Sequence, residues 1–122
     1  MMLFLAWAAA AVGAAPVAGS PAHGSVDYDV QCMIATDSAA GRVDAATKEK
    51  LGRLLMFYFG RVDAVVSGDA LKRQMVAAAK RLQGRPLGPV VQDCGQFMTD
   101  HATAMERTGR TLQSQVKSGS AK

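Results

Sequence analysis

Charge is absent from the opening of this 122-residue sequence: no Asp, Glu, Lys or Arg precedes Asp27. Cysteine and histidine are scarce, two of each and widely scattered. That excludes a cysteine-rich zinc module, which needs a spaced ligand set. Tryptophan occurs once, at Trp7. The length excludes a large enzyme or a multidomain protein, and 49% hydrophobic residues exclude a disordered polyelectrolyte. Internal repeats, strand-like alternation, a nucleophile elbow and a Gly-rich phosphate loop are all missing. The ten carboxylates are dispersed, and Asp93 and Asp100 would lie about 10 Å apart along a helix axis. A Ser-His-Asp set built on His101 has no supporting context, so neither an enzyme nor a cofactor is expected.

What the sequence does contain begins with the uncharged run Leu3 to Ala15 (LFLAWAAAAVGAA), followed by PVAGSPAHGS. Apolar core and small-residue exit read as a secretory signal, with Ser20 and Ala22 placing cleavage after Ala22. The usual basic residues before the run are missing. A retained anchor is the alternative, but the run falls short of the roughly 20 residues a span requires. Residues 1–22 are thus expected to be removed, leaving 100 residues, no tryptophan and an unchanged net charge of +4. At that size apolar burial is barely sufficient for stability, and a covalent staple is useful.

Four helices follow from periodicity. After a flexible lead (23–26), the first is expected over 27–39, with Gly41 as its C-terminal cap. In the second, Asp44 serves as N-cap and Leu51, Leu54, Leu55, Tyr58, Val62 and Val65 recur at helical spacing. Within it LLMFYF (54–59) is apolar around the whole circumference, which predicts a central helix. Ser67-Gly68-Asp69 breaks the chain, and Leu71, Met75, Ala78, Ala79 and Leu82 form the stripe of a third helix. Gly84, Pro86 and Gly88 end it, and Pro89 suits the first position of a fourth helix over about 89–116. Its face carries Val90, Val91, Cys94, Phe97, Met98, His101, Met105, Thr108, Leu112 and Val116. Gly95 and Gly109 weaken it, and residues 118–122 read as a disordered tail. The expected architecture is a small all-α four-helix bundle, its helical domain spanning 27–117.

Cys32 falls on the apolar side of the first helix and Cys94 on that of the fourth. In an exported chain such a pair forms a disulfide, closing a loop of about 63 residues and constraining the unfolded chain by about 4 kcal/mol. A redox pair is the alternative, but the C-x-x-C spacing of catalytic pairs is missing.

Three further constellations carry a chemical reading beside a plain one. Met98, His101 and Met105 share a face whose thioethers and imidazole suit Cu(I), with Met33 or Met75 as a further sulfur; the plain reading is core packing by adaptable methionines. Cleavage after Ala22 would make His23 N-terminal, offering amine and imidazole to Cu(II), against the plain reading of a disordered end. Lys72, Arg73, Lys80, Arg81 and Arg85 make a basic face for anionic headgroups or acidic partners, or simply a solvated surface. Without interleaved aromatics, nucleic acid is not an expected partner.

Cys32, the FYFGRVDA segment from Phe57 to Ala64, and Val91-Gln92-Asp93-Cys94 together resemble the HdeA-like periplasmic acid-stress chaperones over about residues 28–98. The chain departs from that family in its long helix after Cys94 and its long linker after Cys32. The resemblance implies a Gram-negative periplasmic protein that loosens in acid and binds unfolding clients. Cys32 and Cys94 would be its staple, and Leu54, Leu55, Phe57, Tyr58 and Phe59 its client-binding or homodimer surface. Complete protonation leaves 14 Lys and Arg and two His uncompensated, a charge of +16, which favours opening. The competing expectation is a structural or envelope-associated protein meeting a lipid surface or a partner through the basic face.

Overall fold

A computed structural model of the chain describes residues 21–120. The expected signal segment, except for Pro21 and Ala22, lies outside the described residues, as do Ala121 and Lys122. Within them the chain is an all-α bundle of four helices: α1 (Val26–Ala40), α2 (Ala45–Asp63), α3 (Gly68–Leu82) and α4 (Leu87–Ser120). Cys32 and Cys94 are disulfide-bonded, their Cα atoms 5.7 Å apart. The staple ties the middle of α1 to the first third of α4.

Local chemistry sets most of the boundaries. The Ser25 hydroxyl accepts from the Tyr28 N–H (3.1 Å) and donates to the Ala22 carbonyl (2.6 Å), which starts α1 at Val26. Asp44 accepts from the Thr47 N–H at 2.8 Å and caps α2 as expected. That backbone bond holds the Asp44 carboxyl below its ordinary pKa. Ser67 makes no side-chain capping bond, and Gly68 turns the chain with φ +61°. A second left-handed glycine, Gly84 (φ +72°), makes the corner between α3 and α4. α4 begins at Leu87, two residues before the expected start. Pro89 is tolerated there because the first N–H groups of a helix have no intrahelical acceptor.

The structure corrects the expected centre of the bundle. α1, not α2, is the helix around which the others pack, and it touches each of the other three. Tyr28, Val30, Cys32 and Ala35 are buried, and so are the polar Asp29, Gln31 and Thr36. α1 can bury Asp29 and Gln31 because arginines from its neighbours meet them, whereas the Thr36 hydroxyl has no hydrogen-bond partner among the described residues. Arg61 Nε donates to Asp29 Oδ2 (3.1 Å), and Arg81 Nε donates to Gln31 Oε1 (3.0 Å). In α2, by contrast, only Leu54, Tyr58 and Val62 are buried, while Met56 is 67% and Phe59 52% exposed.

Two apolar clusters result. One joins Tyr28, Cys32, Ala35, Leu54, Tyr58, Leu82, Val90 and Cys94 across all four helices. The other, smaller, joins Val30, Val62 and Ala78. Two expected ends are also corrected. The lead at 23–26 is docked rather than flexible, because His23 is hydrogen-bonded and Val26 is already helical. The expected tail is helical as far as Ser120, and α4 runs on through Gly95 and Gly109.

Candidate functional site

A groove of about 630 Å3 lies between α1, α2 and α3. Its lining is Met33 and Ile34 from α1, Leu55, Met56 and Phe59 from α2, and Met75, Val76 and Ala79 from α3, with Asp37 as the one charged residue. It forms because α2 carries apolar residues on more than one side. Leu54 and Tyr58 face the core, which leaves Leu55, Met56 and Phe59 directed between the helices. Three thioethers give the lining soft, adaptable side chains that accept occupants of different shape. Val76 is shared with a shallow hollow edged by Lys72, Arg73 and Lys80, so a basic border runs along the α3 side of the groove.

The expected client surface is therefore divided. Leu55 and Phe59 line the groove; Leu54 and Tyr58 are core, and the Tyr58 hydroxyl donates to the Cys94 carbonyl at 2.6 Å. Phe57 turns towards α4 and lies edge-on to Tyr58, 4.9 Å between centroids. The basic face is divided too. Lys72, Arg73 and Lys80 remain exposed, whereas Arg81 turns inward to Gln31 and the Asp27 carbonyl, and Arg85 stands at the α3–α4 corner. Sequence reasoning missed Met33, Ile34, Met56, Met75, Val76 and Ala79 as parts of one surface. Their signal is a surplus of apolar positions on three successive helices beyond what each buries.

At the opposite side of α2, aromatic rings gather around Phe97. Tyr28, Tyr58, Phe57, His23 and His101 all lie with centroids within 6.5 Å of it. The Arg61 guanidinium sits 5.3 Å from the Phe97 centroid and 5.7 Å from that of Phe57. Asp93 Oδ2 accepts from the Tyr28 hydroxyl (2.7 Å) and pairs with His23 Nε2 (2.9 Å). Burial is the main force pushing the Tyr28 phenol far above its ordinary pKa, and the Asp93 bond adds to it. Burial likewise raises Tyr58. These groups hold the N-terminal lead on α4; His23 is engaged with Asp93 rather than free.

Met98, His101 and Met105 do share one side of α4. Met98 packs on the core, His101 faces the Phe57 and Phe97 rings, and Met105 is exposed. Met33 and Met75, the further candidate sulfurs, line the groove instead. No three of His, Cys, Asp and Glu gather in a metal-holding group among the described residues. No helix among those residues is long and apolar enough to cross a membrane. Compared with protein-family models, curated proteins and solved structures, the chain gives no match.

Proposed function

We propose that this is an exported, non-enzymatic binding protein of the acid-stress chaperone kind, and that its groove holds apolar segments of other proteins. One observation carries the reading: an open, methionine-lined apolar groove on the outside of a disulfide-bonded bundle. A folded domain of this size rarely leaves so many large apolar side chains around one concavity without an occupant. The basic border of Lys72, Arg73 and Lys80 favours segments whose apolar stretch is flanked by acidic residues. In acid the chain's charge rises towards +16 while the Cys32–Cys94 bond limits how far it can open. Loosening would then widen the groove instead of dispersing it.

The test is suppression of client aggregation, together with apolar-dye displacement, from neutral to strongly acid pH. Met56→Asp and Phe59→Asp place a carboxylate in the groove at exposed positions, so the bundle is kept. Both variants should lose protection at pH values where the new carboxylate is ionised, and over the same range Lys72→Gln/Arg73→Gln should weaken it for acidic-flanked clients only. Wild-type protein that protects no client at any pH would sink the chaperone reading. Protection unchanged in both Asp variants would move the site elsewhere. Binding to anionic vesicles that needs Lys72 and Arg73, without any client binding, would favour the envelope-associated alternative.

A further inference from the structure

Every residue from Ala102 to Gly119 is exposed, so these 18 residues of α4 stand out from the bundle. At 1.5 Å per residue this is an arm of about 27 Å. Its composition does not favour a lone helix. Thr103, Thr108, Thr111, Gly109 and Gly119 are poor helix formers, and a segment this short is marginal in water without packing. Local support includes the Arg110–Glu106 pair (2.6 Å) and threonine hydroxyls bonded one turn back.

One side of the arm carries a pattern that the bundle does not use. Ala102, Met105, Gly109, Leu112, Val116 and Gly119 recur at alternating three- and four-residue spacings, the seam of a coiled coil, and none is polar. Met105 is 62% and Leu112 54% exposed. Large residues (Met105, Leu112) alternate with small ones (Ala102, Gly109), so each helix offers both knobs and hollows. A seam of this kind is complementary to itself.

We infer that this arm pairs antiparallel with the same arm of a second copy, forming a homodimer through α4. Aligning 102–119 with its twin over the full length sets Met105 level with Val116, and Gly109 level with Leu112, of the second copy. Small then faces large at the centre. The place of the bundles selects the orientation. Glu106 is the one charged residue beside the seam in this stretch, and it meets Gln113 of the second copy, while Arg107, Arg110 and Lys117 stay on the outer faces. The register brings Lys117 of one copy to the level of Ala104 on the other, one turn from Asp100. A parallel pair would crowd the two bundles at one end. Antiparallel pairing also opposes the helix dipoles and puts the bundles at opposite ends of the rod. The argument rests on the exposed Met105 and Leu112 and on the seam's alternation of large and small residues; it is independent of the groove.

Sedimentation of the disulfide-intact protein over a range of concentrations should show a reversible monomer–dimer equilibrium. Met105→Glu/Leu112→Glu should weaken it at least about tenfold, since two apolar contacts per arm are lost. The thermal transition of the bundle, which these side chains do not touch, should be unchanged. Spin labels at Thr111→Cys should lie close together in the dimer, whereas labels at Thr103→Cys should be offset by roughly 20 Å along the axis. Protein that stays monomeric at every concentration overturns the inference, as does a dimer that survives the double Glu variant. Short distances at both label positions would mean a parallel pair and overturn it too. A dimer abolished by Met56→Asp would assign the contact to the groove. Anionic vesicles bound by a monomer through Met105 and Leu112 would assign the arm to a lipid surface.

Discussion

Arg61 holds two kinds of partner at once: the Asp29 carboxylate, and the faces of Phe57 and Phe97. Asp29 is 5% exposed and only its Oδ2 has a hydrogen-bond partner, so the carboxylate depends on this one guanidinium. Arg61→Ala should destabilise the bundle by about 3 kcal/mol in urea titrations, because an uncompensated buried charge is left behind. Asp29→Asn should cost clearly less, since Arg61 is near the surface and can turn to water. The two tyrosines supply a pH dependence. Tyr28 and Tyr58 bind their protons more tightly folded than unfolded. Their contribution is therefore complete below the ordinary tyrosine value of 10.0 and is lost as pH rises beyond it. Unfolding should become easier above that pH and coincide with the appearance of phenolate absorbance. In Tyr28→Phe/Tyr58→Phe protein, less stable at neutral pH, this alkaline transition should flatten.

Helix boundaries are where the sequence was most readable, because they depend on neighbours in the chain. Asp44, the glycine breaks and the heptad-like stripe of α2 all act within a few residues. Which helix lies at the centre depends on long-range partners and was not readable. Asp29 and Gln31 make α1 look half-solvated until Arg61 and Arg81 are brought to it from 32 and 50 residues away. The same limit hid the groove: LLMFYF is apolar all round, but only tertiary placement shows that Met56 and Phe59 look outward. One substitution in α2 is expected to help. A Cβ at Gly52 meets nothing within 4 Å. Gly52→Ala should thus stabilise the protein by about 0.5–1 kcal/mol through helix propensity alone, read as a higher melting temperature.

For the molecule as a whole, the Cys32–Cys94 bond is the one covalent tie between the first and last helices, 62 residues apart. Replacing both cysteines by alanine, or reducing the bond, should remove about 4 kcal/mol in the loop-entropy account. That is most of the stability expected of so small a domain, so the reduced protein should melt near ambient temperature. The central position of α1 also has a temporal side. α1 is made first, yet the groups that satisfy it, Arg61, Arg81 and Cys94, are made later and in that order. At synthesis rates of about 5–20 residues per second, Cys32 waits about 3–12 s as a free thiol before its partner exists. During that interval the nascent chain has a core helix with nothing to surround it. Folding of the bundle is thereby postponed until the last helix has been synthesised.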